Sequence, residues 1–91
     1  MIELKKCRDK IDALDRELLM LFEERMHVVK EVAGIKKANG IGICDSSRED
    51  ELIAAIEDMS EDGLSEYDKA LFMKIMELSK LYQSRCLEEK L

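Results

Sequence analysis

Proline and tryptophan are absent from the 91 residues, aromatic residues make up 4% of them, and only four glycines occur. These absences exclude collagen-like and proline-rich chains. Apolar residues still make up 46% of the sequence, a share too high for a disordered chain. No apolar run exceeds a few residues, so we expect no membrane-spanning segment. The charged N-terminus, MIELKKCRDK, contains no signal-peptide pattern, and we therefore expect a cytoplasmic protein.

Residue types that bind metals or act as nucleophiles are also scarce. Cys7, Cys44 and Cys86 lie far apart, and His27 is the only histidine. Because this spacing matches no CxxC pair and no zinc motif, we expect reduced thiols and no metal. No nucleophile stands beside a general base, and no glycine-rich phosphate loop is present. An enzyme with this sequence would therefore act by positioning and electrostatics.

The charge balance excludes two classes of partner. Acidic residues number 21 against 15 basic ones, which gives a net charge of -6. Such a chain repels nucleic acid and anionic lipid at long range, so we expect neither as a partner. Any anionic ligand must be bound by a local cluster of bases.

The first part of the chain is typical of one long helix. Its apolar residues recur at alternating steps of three and four, which predicts a helix over about residues 3–38. The loop signal Asn39-Gly40-Ile41-Gly42 ends it. The stripe consists of Leu4, Cys7, Ile11, Leu14, Leu18, Leu21, Val28, Val32 and Ile35.

Two shorter helices follow, over about residues 46–58 and 65–88. Ser46-x-x-Glu49 predicts a capping box at the start of the second, and Ser65-x-x-Asp68 resembles a capping pattern at the start of the third. The second helix has a predicted buried face of Leu52, Ile53, Ile56 and Met59. The third has one of Leu71, Phe72, Ile75, Met76, Leu78, Tyr82 and Cys86. We therefore predict a single all-α domain over residues 1–91.

The length of the first helix predicts a second copy of the chain. A helix of this length extends about 50 Å, which is wider than a globule of 91 residues. Two short helices cannot cover it, and a domain this small needs further stabilisation. We expect an intertwined homodimer in which the long helices pair.

Basic residues interrupt the apolar face of the long helix. Arg25 stands where the stripe requires an apolar residue, and Lys36 lies about 20° from it around the axis and about 16 Å along it. Arg8 lies about 25 Å from Arg25 along the axis, so it could serve only the pocket of a partner chain. Each base also has a structural interpretation: a buried ion pair for Arg25, a helix-end lysine for Lys36 and a surface residue for Arg8.

Polar residues also interrupt the other helices. Ser79 and Gln83 lie on an apolar strip of the third helix, where they could form a helix–helix hydrogen bond or bind a ligand. The segment 45–49, which contains Asp45, Arg48 and Glu49, could be a simple helix cap or an anion site. Together with the three bases, these residues favour a small polyanionic ligand enclosed among helices.

These residues, in this order and spacing, resemble the all-helical chorismate mutase family over about residues 4–86. The matching segments are residues 8–15, Leu18-Leu19, Glu24-Arg25, Lys36, Asp45-x-x-Arg48-Glu49, Ser79 and Gln83. The resemblance implies a three-helix protomer, an intertwined homodimer and two equivalent active sites. It also implies an isomerase of aromatic amino acid biosynthesis, in the shikimate pathway, that converts chorismate to prephenate by a Claisen rearrangement without a cofactor.

The resemblance further implies a role for each matched residue. Arg25, with Arg8 from the partner chain, would bind carboxylate, and Ser79 would contact a carboxylate. Lys36 and Gln83 would donate to the ether oxygen, where negative charge grows as the C–O bond breaks. Glu49 would accept a hydrogen bond from the ring hydroxyl, helped by the backbone near Asp45.

Arg48 would lie against the substrate and help to orient Glu49. Some relatives have a glutamate at position 83, which must be protonated to donate. Because Gln83 is neutral at every pH, we expect no requirement for acidic pH.

Two other functions remain possible from the sequence. An isochorismate-pyruvate lyase with the same fold would use similar carboxylate contacts and a lysine near the ether oxygen. A non-catalytic helical dimerisation or regulatory module would use Arg8, Arg25 and Lys36 in structural ion pairs.

Overall fold

A computed structural model describes residues 1–89, which form three helices connected by short loops. They are α1 (Ile2–Ala38), α2 (Ser46–Met59) and α3 (Ser65–Glu89). No strand occurs between residues 1 and 89. The all-α class and the three helices are confirmed, and each helix boundary lies within one residue of its predicted position. The predicted domain extends to residue 91, and its last two residues lie outside the described range.

The third helix holds the other two together. α3 packs against α1 and against α2. The principal extents are 55 × 28 × 14 Å, and the long axis matches the length of a helix of 37 residues, about 55 Å. α1 therefore extends well beyond the part that α3 covers, and its residues 1–21 are all exposed.

α1 ends in a tight turn that depends on Gly40. The N–H of Ile41 donates to the carbonyl oxygen of Lys36 at 2.8 Å, and the N–H of Gly40 donates to that of Lys37 at 3.3 Å. This pair of bonds is a Schellman motif, which requires a left-handed residue just after the helix. Gly40 has φ +65°, a conformation in which glycine avoids a steric cost. The motif turns the chain back immediately after Lys36.

The start of α2 differs from the predicted capping box. Asp45 is the N-cap, and its Oδ1 accepts a hydrogen bond from the N–H of Arg48 at 3.0 Å. Ser46 is the first residue inside the helix. The prediction was wrong because the helix is capped one residue earlier: Asp45 caps the N–H of Arg48, and the N–H of Glu49, which the Ser46 hydroxyl was expected to cap, donates to the carbonyl oxygen of Asp45 at 3.1 Å. Glu49, freed from capping, interacts with α3.

Several predicted core positions are not buried within the chain. The side of α1 that is covered by α3 contains Phe22, Met26 and Val29, with Ala33 fully buried, and lies beside the predicted stripe. Met59 and Leu71 were also expected inside, but they are 71% and 51% exposed. Periodicity identified an apolar stripe on α1 correctly, yet α3 packs against the adjacent face, and the stripe stays exposed.

Within the described part of the chain, no helix has both the length and the apolar character needed to cross a bilayer.

Candidate functional site

One cavity of about 320 Å³ is lined by all three helices and by the loop between α1 and α2. Its walls combine apolar side chains with six charged ones. The lining residues are Arg25, Val29, Val32, Lys36, Ile43, Asp45, Arg48, Glu49, Leu52, Met76, Ser79, Lys80 and Gln83.

Arg25 is held in this cavity by α3. Its Nη1 donates to the hydroxyl oxygen of Ser79 at 2.6 Å, and that hydroxyl donates to the carbonyl oxygen of Ile75 at 2.7 Å. A serine hydroxyl has one proton, so Ser79 acts here as an acceptor for Arg25. Partial burial, and then the positive charge of Arg48, hold the pKa of Arg25 below its ordinary value. A bound anion would act in the opposite direction, because a nearby negative charge favours the charged form of Arg25.

Lys36 is held by the loop that follows α1. Its Nζ donates to the carbonyl oxygen of Ile43 at 2.9 Å, and its side chain is partly buried. The Schellman motif at Gly40 makes this bond possible because it directs the loop back over the last turn of α1. An ammonium group has three donors, so the loop fixes the position of Nζ and leaves donors for a ligand.

Gln83 is a buried amide on the cavity wall. The residue is 6% exposed, and its Oε1 is buried with no hydrogen-bond partner within residues 1–89. A buried polar atom without a partner is rare and unfavourable, by about 1–3 kcal/mol. This oxygen is an acceptor and would suit a ligand hydroxyl, whereas donation to a ligand oxygen would come from Nε2 of the same amide.

Glu49 bonds across the interface between α2 and α3. Its Oε1 lies 2.8 Å from Nζ of Lys80, and both side chains line the cavity. This hydrogen bond, followed by the charge of Glu49, raises the pKa of Lys80 above its ordinary value. Arg48, expected to help orient Glu49, instead pairs weakly with Glu51 at 3.5 Å.

The lining charges make the cavity suited to an anion. Four of the lining side chains are cationic and two are carboxylates, in a chain whose net charge is -6. The cations are Arg25, Lys36, Arg48 and Lys80, and the carboxylates are those of Asp45 and Glu49. The described chain therefore gives the cavity a local excess of two positive charges against the field of the whole molecule.

The structure brings together seven of the eight site residues predicted from the sequence: Arg25, Lys36, Asp45, Arg48, Glu49, Ser79 and Gln83. The eighth, Arg8, is exposed and does not line the cavity. Sequence reasoning missed Lys80, although a signal was present. Lys80 is four residues after Met76 and three before Gln83, so it shares their strip of α3.

Several known proteins have sequences similar to this one. The family chorismate mutase type II matches residues 7–84. A chorismate mutase of Methanocaldococcus jannaschii is 35% identical over 92 aligned positions, covering 98% of this chain and 93% of the relative. The T-protein of Haemophilus influenzae is 40% identical over 55 positions, which cover 60% of this chain and 15% of that protein. The matched range includes every residue of the cavity, and the chain belongs to the chorismate mutase type II family.

Proposed function

We propose that this chain converts chorismate to prephenate by an intramolecular Claisen rearrangement. The observation that carries the proposal is the cavity itself, in which Arg25, Lys36 and Gln83 meet among apolar side chains. Chorismate is a compact dianion with two carboxylates, an ether oxygen and a ring hydroxyl. Its two negative charges match the excess of two positive charges in the lining.

The carboxylates would be bound by guanidinium groups. A guanidinium presents a planar fork of donors that fits a carboxylate with two parallel hydrogen bonds. Arg25 is positioned for this by Ser79, which accepts from Nη1 and leaves other donors of the fork for substrate. Ser79 therefore supports carboxylate binding through Arg25. The second guanidinium would be that of Arg8 from a partner chain.

Lys36 and Gln83 would accelerate the chemical step. As the C–O bond of the ether lengthens, negative charge accumulates on the ether oxygen. Donors that are already aimed at this oxygen stabilise the transition state more than the ground state, which raises the rate. Lys36 is fixed by the Ile43 carbonyl and Gln83 is buried, so little reorganisation is needed when the charge develops.

Glu49 would bind the ring hydroxyl. Its carboxylate lies on the cavity wall near the N-terminus of α2, where Asp45 caps the helix. A carboxylate is an acceptor only, so it suits a hydroxyl proton. Arg48 lines the same wall and would lie against the substrate.

We further propose that the active form is a homodimer. The chain exposes 7516 Å², whereas a folded monomer of its mass exposes roughly 5,400 Å². Its radius of gyration is 16.7 Å, against about 12 Å for a compact chain of this length. The excess of about 2,000 Å² is in the range that obligate dimers bury. In a dimer that packs on the first half of α1, Arg8 of each chain would lie near the cavity of the other chain.

The activity is tested by following the ultraviolet absorbance of chorismate after the purified protein is added, with product analysis. We expect prephenate. Release of pyruvate from isochorismate with negligible prephenate would favour a lyase, and a folded dimer that binds no chorismate would favour a non-catalytic module.

Lys36 provides the sharpest single test of the chemistry. Lys36→Ala should raise the barrier by about 3–4 kcal/mol, as removal of an oxyanion donor does, while the protein stays folded. The matched control is Lys37→Ala, because Lys37 is exposed and lies in the same last turn of α1. Equal losses in the two variants would contradict the role of Lys36.

The proposed reaction stands at the branch point of biosynthesis toward phenylalanine and tyrosine. The proposed compartment is the cytoplasm. The supporting observation is that Cys7, Cys44 and Cys86 are free thiols, the state that a reducing compartment maintains. Fractionation of cells with an antibody to the chain tests this location.

A further inference from the structure

The ion pair between Lys80 and Glu49 differs from the other ion pairs of the described chain. Three of those pairs join residues within one helix, three or four positions apart. The other interhelical pair, Lys69–Glu57, is longer at 3.8 Å, and Glu57 is 63% exposed. Lys80–Glu49 measures 2.8 Å, with side chains 40% and 27% exposed. It is therefore the shortest and most sheltered pair of residues 1–89, and both partners line the cavity.

The position of Lys80 on α3 indicates how the site is assembled. Ser79 accepts a hydrogen bond from Arg25 on α1, and the next residue, Lys80, donates to Glu49 on α2. Consecutive residues on a helix point about 100° apart, so α3 can contact both other helices at one level. One residue fixes the group proposed to bind a carboxylate, and its neighbour fixes the group proposed to bind the ring hydroxyl.

The ion pair leaves part of Glu49 free for a ligand. Lys80 contacts Oε1 of Glu49, and the carboxylate has a second acceptor oxygen, Oε2. A glutamate whose carboxylate is held at one oxygen has fewer side-chain conformations. Less conformational entropy is therefore lost when a ligand binds to the other oxygen.

We propose that Lys80 is a positioning residue that acts through Glu49. It holds the Glu49 carboxylate against α3 so that the second oxygen accepts the hydroxyl proton of the substrate. This role rests on the proposed function, because it requires a substrate hydroxyl at Glu49. It extends that function by adding a residue on α3 that the sequence pattern did not identify.

A double-mutant cycle tests the proposal with four chains: the unmodified protein, Lys80→Met, Glu49→Gln and the double variant. If Lys80 acts through Glu49, we expect Lys80→Met to lower kcat/KM about tenfold alone and less than twofold in the Glu49→Gln background, because coupled residues are not additive. Lys80→Arg preserves the ion pair and should retain most of the activity.

Lys69→Met is the matched control, because it removes the other α2–α3 ion pair, which does not line the cavity. It should leave kcat/KM unchanged. Circular dichroism and sedimentation confirm that each variant is folded and assembled alike. If Lys80→Met does not fold, the comparison of Lys80→Arg with Lys80→Gln replaces it.

The outcomes separate the two proposals. An unmodified chain that leaves chorismate unchanged overturns the proposed function and this role for Lys80 with it. An active chain in which Lys80→Met has the same effect in both backgrounds overturns the role of Lys80 alone, because equal effects indicate direct contact with substrate or a general structural effect. Equal losses for Lys80→Arg and Lys80→Met also overturn it.

Discussion

The two halves of α1 have the same apolar pattern and different surroundings. Every residue from Met1 to Leu21 is exposed, including Leu14 at 57% and Leu18 at 58%. From Phe22 onward, residues alternate between contact with α3 and exposure, and Ala33 is fully buried. The C-terminal half also contains Arg25 and Lys36, the two basic residues of α1 that line the cavity.

α1 therefore serves two purposes. The C-terminal half packs within its own chain and positions charged groups for a ligand. The N-terminal half is an amphipathic helix whose apolar face no described residue of the chain covers, and an apolar face of this size in water marks an interaction surface. A second copy, with its own Arg8, would complete the packing and the site together.

Charge placed on the exposed stripe of α1 should disrupt the protein most severely. If a partner covers the stripe, the double substitution Leu14→Glu/Leu18→Glu buries two unpaired carboxylates, at several kcal/mol each. We expect loss of the dimer, loss of helicity and almost complete loss of activity. Sedimentation velocity and circular dichroism measure the first two effects.

The control for the stripe is Arg16→Glu, because position 16 lies on the opposite side of α1. It should change stability by no more than about 0.5 kcal/mol, as surface substitutions generally do. A folded, active double variant at positions 14 and 18 would show that the N-terminal half of α1 is ordinary surface.

The next effect concerns the C-terminal half alone. Arg25→Lys preserves the charge and removes the planar fork and the bond to Ser79. We expect kcat/KM to fall by a factor equivalent to about 1.5–3 kcal/mol of transition-state stabilisation, the contribution of hydrogen bonds to charged groups. The same substitution in the N-terminal half, Arg16→Lys, should have no effect. Steady-state kinetics on both variants provide the comparison.

A smaller effect is expected where the C-terminal half ends. Gly40→Ala forces a residue with a Cβ into a left-handed conformation, which costs about 1–2 kcal/mol. The loop bond that fixes Lys36 should weaken with it, and kcat should fall modestly. Gly42→Ala is the matched control because Gly42 lacks a positive φ and has space around it. Denaturant unfolding that ranks the two variants equally would contradict this account of the turn.

The smallest effect concerns pH. The hydrogen bond that Lys80 donates to Glu49 raises the pKa of Lys80. The ion pair therefore contributes fully to stability below the ordinary lysine pKa, and this contribution is lost only as the pH rises above about 10.5. The pKa of Arg25 is lowered, yet guanidinium stays protonated in proteins. Gln83 does not titrate. We therefore expect no steep loss of turnover between pH 5 and 8.

Gln83→Glu sharpens the pH prediction. A buried glutamate has a raised pKa and donates only when protonated. Activity of this variant should therefore fall as the pH rises through that window. A pH-rate profile of Gln83→Glu that matches the profile of the unmodified chain would show that position 83 donates nothing to the reaction.

Periodicity and turn chemistry were sufficient to predict the helices. The alternation of steps over residues 4–35 and the Asn39-Gly40 signal depend on local physics, so α1 ended where expected. The interruptions at Arg25, Lys36, Ser79 and Gln83 also depend on helical geometry alone, and the cavity contains all four.

Contacts between helices could not be predicted in the same way. Whether Glu49 bonds Ser46, Arg48 or Lys80 depends on how α2 and α3 pack, and the sequence favoured the local capping box. Likewise, the pattern identified an apolar face on α1, but it did not indicate whether α3 or a second copy of the chain covers that face. Met59 and Leu71 were predicted inside for the same reason.

We infer that each site combines Lys36 from the C-terminal half of one α1 with Arg8 from the N-terminal half of another. Chains with Arg8→Ala and chains with Lys36→Ala, each nearly inactive alone, are mixed in equal amounts, unfolded and refolded together. Random pairing into two-fold dimers should restore about a quarter of the normal activity, because one site in each mixed dimer is intact. A mixture as inactive as its components would contradict the claim.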